Sequence, residues 1–235
     1  MHKRIKAVLF DLDGTLRHHI PNGGDVFVAH AREIGLPVSE EDRVRADRWE
    51  HYYFANSPEI KSDIKEFKEE AFWGNFSRRK LVALGCNSKY ADSLSNPMSQ
   101  HMRDHYKPKV VVTEDSRALL AALQTDGYIL GVISNRDKSF HEELKELKLD
   151  SYFVFSLAGG EVNSFKPDTA IFEHGLRKAG VLAQEAIYVG DNYFADVIGA
   201  QRAGLTPVLY DPGSLFPEAE CAVIKSFDEL HKLLK

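Results

Sequence analysis

From about Pro108 to its end, this 235-residue chain alternates short apolar runs with amphipathic segments, and this alternation constrains the fold more than any other feature. Segments with helical spacing separate the apolar runs, as in KPDTAIFEHGLRKAG, where Pro167 stands near the start and Gly180 just past the end. Repeated strand–helix units predict an α/β fold, a parallel sheet with helices on both faces. Three runs are typical of its buried strands: YILGVI (128–133), YFVFS (152–156) and AIYVG (186–190).

The region between the first strand, Lys6–Phe10, and Pro108 has a different pattern. It contains few β-branched runs and several amphipathic helical stretches, such as FVAHAREIGL and DIKEFKEEAFWGNFSRRKLVALG. The pattern predicts an α/β core formed by residues 1–16 and 108–235. Residues 17–107 are predicted to form an all-helical domain inserted into that core.

Charge and composition narrow the classes of partner. The formal net charge of −5 and a pI near 6.1 argue against nucleic acid, whose binding surfaces are clustered and basic. No apolar run approaches the roughly 18 residues of a membrane span. Two cysteines far apart in sequence, Cys86 and Cys221, form no disulfide framework and favour a reducing cytoplasm. A monomer and a homodimer both remain open.

Polar residues that could take part in catalysis or binding follow three of the predicted strands. Asp11, Ser134 and Asp191 each stand where an apolar run ends. Ligands of open α/β sheets bind beyond the carboxyl ends of the strands, so these residues are expected at one edge of the sheet. Asp11 and Asp13 are two positions apart on extended backbone, which directs both carboxylates to the same side.

A group of carboxylates at one edge is costly without a cation. Two unit charges about 4 Å apart interact by about 4 kcal/mol at an effective dielectric near 20. Asp191 and Asp196, with Asn192 between them, would add to the charge of Asp11 and Asp13. Oxygen ligands of this kind suit Mg²⁺, and Lys166, just before a predicted helix, could bring a second positive charge.

Taken together, these residues resemble the haloacid dehalogenase superfamily. The resemblance rests on four motifs in order: DLDGT at 11–15, Ser134 in VISN, Lys166 in FKPD, and GDNYFAD at 190–196. It implies a Rossmann-like parallel sheet. The helical insertion directly after DLDGT is similar to the cap of the superfamily's first subclass.

The resemblance implies a phosphatase with Mg²⁺ as cofactor. Asp11 would be the nucleophile that forms an aspartyl-phosphate, since a carboxylate is already ionised at neutral pH. Asp13 would protonate the leaving group and then activate water. The carboxylates of Asp11 and Asp191 and the backbone carbonyl of Asp13 would bind the metal.

The same resemblance implies supporting roles for five further positions. Ser134 and the backbone at Asn135 would bind phosphoryl oxygens, and Lys166 would stabilise charge on both nucleophile and phosphate. Asn192 and Asp196 would hold the metal ligands in place from behind. The expected substrate is a small phosphorylated metabolite.

Four other functions remain as alternatives. A phosphomutase differs mainly in whether the cap excludes water from the intermediate. A 2-haloacid dehalogenase needs neither a metal nor a second acid, so Asp13, Lys166 and Asp191 favour phosphate chemistry. A phospho-receiver module would be about half as long, with its acceptor after a middle strand. A catalytically idle interaction protein would not need all four motifs.

Overall fold

The structure, a computed structural model, describes residues 4–234. The chain divides into two compact units. The first unit comprises the N-terminal segment up to His18 together with the chain from Val112 onward. The second unit is the continuous segment His19–Val111, which is inserted into the first.

Strands and helices alternate in the first unit, whereas helices dominate the second. The strands are β1 (Ala7–Phe10), β2 (His18–Ile20), β3 (Lys109–Val111), β4 (Ile129–Ser134), β5 (Phe155–Ala158), β6 (Ala186–Gly190), β7 (Thr206–Tyr210) and β8 (Ala222–Ile224). The helices are α1 (Gly23–Glu33), α2 (Glu40–Phe54), α3 (Pro58–Glu66), α4 (Glu69–Ala83), α5 (Ser88–His105), α6 (Glu114–Thr125), α7 (His141–Glu146), α8 (Gly159–Val162), α9 (Thr169–Ala179), α10 (Ile198–Arg202) and α11 (Phe227–Leu233). A π-helical turn, Tyr193–Val197, precedes α10.

The first unit is built on a six-stranded parallel sheet in the order β5-β4-β1-β6-β7-β8. The first strand of the chain lies between β4 and β6, and Phe10 pairs with Val132 on one side and Val189 on the other. Because all three strands run in the same direction, their carboxyl ends lie side by side. The residues that follow β1, β4 and β6 therefore meet at the middle of one sheet edge.

Helices cover both faces of this sheet, as the alternation of side chains along β1 requires. Val8 and Phe10 point into a core cluster with residues of α6, α7 and α11. Ala7 and Leu9 point to the other face, into a cluster with residues of α9 and α10. The predicted α/β architecture with helices on both faces is confirmed.

The fifth strand does not lie where the sequence predicts it. The predicted strand covers residues 152–156, whereas β5 is Phe155–Ala158. A 3₁₀ turn ends at Tyr152, before the strand begins. Tyr152 and Phe153 pack against the core cluster from this turn. Hydrophobicity alone cannot separate such a turn from a strand. The ladder with β4 sets the register instead, pairing Gly131 with Phe155.

Helices α1 to α5 form the inserted unit around an apolar cluster of their own. Phe27 and Val28 of α1, Leu81 of α4 and Met98 of α5 belong to that cluster. The long amphipathic stretch 63–85 divides into α3 and α4, because the backbone at Phe67 is extended. The short strands β2 and β3 pair with each other at the two ends of the insertion.

No helix within residues 4–234 has the length and apolar composition needed to cross a bilayer. The two cysteines, Cys86 and Cys221, are free thiols. Each lies on the periphery of a different apolar cluster, Cys86 in the inserted unit and Cys221 in the first unit.

Candidate active site

Three carboxylates from distant parts of the sequence meet at the carboxyl edge of the sheet. Asp11 directly follows β1, Asp191 directly follows β6, and Asp196 lies in the π-helical turn after β6. Carboxylate oxygens of these three residues all lie within 4.8 Å of one another. Among residues 4–234, no other group of three or more His, Cys, Asp or Glu side chains converges as closely. We call these three residues the acidic cluster.

Two glycines allow the backbone to approach this cluster closely. Gly14 has φ +90°, and a β-carbon there would lie 2.4 Å from Asp191 Oδ2. A β-carbon on Gly190 would lie 2.3 Å from Asp196 Cγ. Only glycine fits at either position without moving a carboxylate.

Lys166 is the cation that the chain itself supplies to the acidic cluster. Its Nζ donates to Asp11 Oδ1 at 2.6 Å, to Asp196 Oδ1 at 2.6 Å and to the Tyr188 hydroxyl at 3.0 Å. All three ammonium protons therefore have an acceptor. The Asn135 side chain holds the Lys166 backbone, accepting from its N–H at 2.6 Å and donating to its carbonyl at 2.9 Å.

The charges of this buried group do not balance. With all three carboxylates ionised, the single ammonium would leave the cluster with a formal charge of −2. Burial raises the pKa of Asp11 well above its usual range, although Lys166 opposes this shift. Burial and then the charge of Asp196 raise the pKa of Asp191 to about 7. Burial alone would lower the pKa of Lys166, but Asp11 and Asp196 outweigh it and keep the side chain charged.

The donor set fits a divalent cation. One divalent cation would balance the two uncompensated negative charges. Every available ligand atom is a hard oxygen, which Mg²⁺ prefers. Thr15 orders two of the donors: its Oγ1 accepts from the Asp191 N–H at 3.0 Å and lies 3.1 Å from Asp191 Oδ1 and 3.4 Å from Asp11 Oδ2. Burial raises the pKa values of Asp11 and Asp191 first, and the neighbouring carboxylates raise them further; a bound cation would offset both effects.

The carboxylate of Asp13 has different surroundings from that of Asp11. Arg136 contacts it through two nitrogens, with Nε 2.8 Å from Oδ2 and Nη2 2.9 Å from Oδ1. Arg17 also donates to Asp13 Oδ1. Glu143 of α7 pairs with both arginines, its Oε1 lying 2.7 Å from Arg17 Nε. We call these four residues the Asp13 network.

The Asp13 network changes the acidity of its central carboxyl group. Burial by itself raises the pKa of Asp13, but hydrogen bonds and charges from Arg136 and Arg17 outweigh it and lower the pKa. Asp13 is therefore ionised in this state, although its side chain is 39% exposed and open to exchange protons. The adjacent aspartates of one motif thus have pKa values shifted in opposite directions.

The remaining predicted residues take supporting positions. Ser134 ends β4 in a buried position, and its hydroxyl makes no hydrogen bond to a residue of the described chain. The Asn192 side chain accepts from the N–H groups of Phe194 and Ala195, both at 3.0 Å, which caps the π-helical turn. Asp196 Oδ2 accepts from the Asn192 N–H at 2.9 Å, so both oxygens of Asp196 are held by the chain.

Sequence reasoning missed four residues of this region. In the sequence, Tyr188 is only one residue of a predicted buried strand, yet its hydroxyl accepts from Lys166 and donates to the Ile133 carbonyl at 3.1 Å. Arg17, Arg136 and Glu143 were not singled out at all. The available signal was the position of the two arginines, each within a few residues of a recognised motif.

The chain matches the sequence model of a known protein family. A family model described as haloacid dehalogenase-like hydrolase matches residues 50–209, which is more than half of the chain. The matched range contains Ser134, Lys166, Asp191 and Asp196 and begins after Asp11.

Individual proteins are similar over nearly the whole chain. A ribulose-1,5-bisphosphate 5-phosphatase of Halopiger xanaduensis is 27% identical over 220 residues, which cover 92% of this chain and 89% of that protein. A phosphoglycolate phosphatase of Pseudomonas savastanoi pv. phaseolicola is 28% identical, covering 97% of this chain and 78% of that protein. This chain also aligns with the crystal structure of a 2-haloacid dehalogenase from Pseudomonas syringae pv. tomato. The two sequences are 27% identical, and the structures superpose with a TM-score of 0.57 over 98% of each chain.

Proposed function

Because this chain belongs to the haloacid dehalogenase-like hydrolases, we propose that it is a Mg²⁺-dependent phosphatase acting through an aspartyl-phosphate intermediate. The single observation that carries the proposal is the contrast between the two aspartates of its first motif. Asp11 lies in the acidic cluster with Lys166, whereas Asp13 lies in a network with two arginines. Asp11 thus lies beside an ammonium that can stabilise a phosphoryl group, and Asp13 lies outside the acidic cluster with a partly exposed side chain that can exchange protons.

In the first half-reaction, a carboxylate oxygen of Asp11 attacks phosphorus. The bond between Asp11 and phosphorus forms while the bond from phosphorus to the alcohol oxygen breaks. Asp13, in its protonated form, gives its proton to the departing alkoxide. Lys166, 2.6 Å from Asp11 Oδ1, orients the nucleophile and stabilises charge on the transferring group.

In the second half-reaction, Asp13 works in the opposite direction. Its carboxylate takes a proton from water as the water oxygen attacks phosphorus. The bond between phosphorus and Asp11 breaks, and inorganic phosphate leaves with Asp11 restored. The Ser134 hydroxyl and the backbone N–H of Asn135 would hold phosphoryl oxygens throughout both steps.

The metal would be held by the carboxylates of Asp11 and Asp191 and by the backbone carbonyl of Asp13, with Asn192 and Asp196 steadying those ligands. Mg²⁺ held by these ligands would neutralise the excess charge of the cluster and would supply electrostatic stabilisation to the phosphoryl oxygens. The net charge of −2 supports this assignment.

The Asp13 network favours a particular substrate class. Asp13 must carry a proton in the first half-reaction, yet Arg17 and Arg136 lower its pKa in this state. A second anionic group on the substrate could draw these arginines away from Asp13, which would raise the Asp13 pKa as substrate binds. Phosphoglycolate and ribulose-1,5-bisphosphate, the compounds in the relatives' names, both carry a second anionic group.

A screen of phosphate monoesters with and without Mg²⁺ tests the activity. We expect phosphate release that needs the metal, disappears in Asp11→Asn and persists in the control Asp228→Asn, whose side chain is exposed on α11. Phosphoglycolate should be hydrolysed in preference to ethyl phosphate, in which an uncharged methyl group replaces the carboxylate. Equal release by wild type and Asp11→Asn would rule out the nucleophile, and release unaffected by chelation would rule out the metal.

Trapping the intermediate tests the division of labour between the two aspartates. With an aryl phosphate such as p-nitrophenyl phosphate, whose leaving group needs no proton, Asp13→Asn should accumulate one phosphoryl group per chain, because water is no longer activated. Hydroxylamine should remove this group, as expected for an acyl phosphate. An Asp13→Asn protein that releases phosphate but never carries a phosphoryl group would contradict the proposed steps. Isomer formation without phosphate release would indicate a phosphomutase. Release of halide from a 2-haloacid without a metal would indicate a dehalogenase.

A further inference from the structure

Three histidines of the inserted unit form a stack that the proposed chemistry does not use. The His30 ring of α1 lies on the His101 ring of α5, with centroids 3.4 Å apart and planes inclined by 5°. The His105 ring continues the stack, 4.3 Å from the His101 ring and inclined by 19°. His101 and His105 are four residues apart on one helix, the spacing at which two imidazoles on one helix face can bind a common metal.

Hydrogen bonds determine which nitrogen of two of these rings is available. His30 Nδ1 lies 3.1 Å from Glu33 Oε2, and His105 Nδ1 lies 3.0 Å from the His101 carbonyl oxygen. An ionised carboxylate and a carbonyl can only accept, so Nδ1 is the donor in both rings. In the neutral imidazole the lone pair is then on Nε2. A carboxylate or carbonyl on the second nitrogen is the usual arrangement around a metal-bound histidine.

We propose that His30, His101 and His105 form a binding site for a divalent transition metal of the Zn²⁺ class, which links α1 to α5. Imidazole nitrogens suit Zn²⁺, whereas Mg²⁺ requires oxygen, so this site and the acidic cluster select different ions. Water completes a four-coordinate shell. The site lies within one unit of the chain, in helices that pack around a common apolar cluster.

Binding requires the imidazoles to turn. One nitrogen from each of the three rings does not come within 4.8 Å of the other two as stacked, since among residues 4–234 only the acidic cluster meets that distance with three residues. His105 is exposed and His30 and His101 are half-buried, so rotation about the side-chain bonds is open to them. Burial, together with the charges of His30 and His105, lowers the pKa of His101, which favours its neutral, ligating form near neutral pH.

A metal bound here would stabilise the inserted unit. The linked positions are about 70 residues apart in sequence, and a ligand that binds only the folded state adds stability that rises with its concentration. This effect is independent of catalysis at the acidic cluster.

Calorimetric titration of the tag-free, full-length chain with Zn²⁺ tests the proposal, with excess Mg²⁺ present to occupy the acidic cluster. We expect one Zn²⁺ per chain. The Zn²⁺ affinity should be at least about tenfold weaker in His101→Ala, because even the loss of a group that only hydrogen-bonds to a metal ligand weakens metal binding by about tenfold or more. His105→Ala, whose side chain is exposed, should show the same weakening without risk to folding. His174→Ala, in α9 of the other unit, is the matched control.

Thermal unfolding gives a readout that needs no activity. Zn²⁺ should raise the unfolding temperature of wild type and His174→Ala, and this rise should vanish in His101→Ala and His105→Ala. Cobalt bound in place of zinc should show the intense visible absorption of a tetrahedral site in wild type. Zn²⁺ binding that is unchanged by both substitutions, or no Zn²⁺ binding in excess Mg²⁺, would overturn the proposal.

Discussion

Replacing Tyr188 by phenylalanine removes one oxygen from beneath the candidate active site and changes little else. The hydroxyl accepts from Lys166 Nζ at 3.0 Å and donates to the Ile133 carbonyl at 3.1 Å. The ring is fully buried and packs edge-on against Phe172, with centroids 4.9 Å apart, a contact that phenylalanine preserves. The substitution therefore removes one acceptor of the buried ammonium and one donor to the Ile133 carbonyl, and leaves the ring packing in place.

The expected loss of stability follows from these two hydrogen bonds. A hydrogen bond to a charged group contributes about 1.5–3 kcal/mol, and a neutral one about 0.5–1.5 kcal/mol. Lys166 keeps two carboxylate partners in the variant, which places the total toward the lower end, at about 2–3 kcal/mol. For a chain of this length, that corresponds to a decrease of about 4–12 °C in unfolding temperature.

Activity should fall as well, because Lys166 loses one of the three contacts that orient it toward Asp11. We expect kcat to decrease by about tenfold, or about 1.4 kcal/mol in activation free energy, with little change in KM. Thermal and urea unfolding measure the first effect, and steady-state phosphate release measures the second.

Tyr128→Phe is the matched control. Its hydroxyl donates only to the Leu234 carbonyl, at 3.1 Å, and its side chain is half-buried, so the loss should not exceed about 1 kcal/mol. A Tyr188→Phe protein as stable as wild type, or one destabilised no more than Tyr128→Phe, would refute the view that the Tyr188 hydroxyl satisfies the buried ammonium.

Three further perturbations have definite expected outcomes. In Gly14→Ala, a β-carbon would lie 2.4 Å from Asp191 Oδ2 at φ +90°, so we expect at least about a hundredfold loss of kcat and weaker Mg²⁺ binding by calorimetry; wild-type activity would show that the carboxylate can move freely. The pKa of Asp191 is raised to about 7, so the group is ionised above pH 7 and protonated below it. Because metal binding must displace that proton, Mg²⁺ affinity should fall by about tenfold for each pH unit below 7, and a flat titration between pH 5 and 7 would contradict this. Arg136→Lys removes the two-nitrogen contact with Asp13, and the preference for phosphoglycolate over ethyl phosphate should shrink by about tenfold, whereas an unchanged ratio of kcat/KM values would exclude Arg136 from substrate recognition.

The residues that follow β1, β4 and β6 could be placed at one sheet edge from sequence because parallel strands align their carboxyl ends. The positions of Asp11, Ser134 and Asp191 depend only on where apolar runs stop, which is a local property of the chain. The start of β5 at Phe155 could not be read in the same way. Its limits depend on register with β4, and the preceding turn is equally apolar.

By itself, the sequence determined the class of fold and the three acids that cluster, since hydrophobic periodicity and motif spacing depend on local sequence. It wrongly grouped the Asp13 carboxylate with them, because the arginines that hold Asp13 come from other parts of the fold. The tertiary structure alone decided that Tyr188 lies beneath Lys166, and that Arg17, Arg136 and Glu143 surround Asp13. It also decided that His30 meets His101 across two helices. The physical reason is the same in each case: a charged or polar side chain finds its partner through loop paths and helix packing, and these contacts between distant residues leave no periodic trace in the sequence.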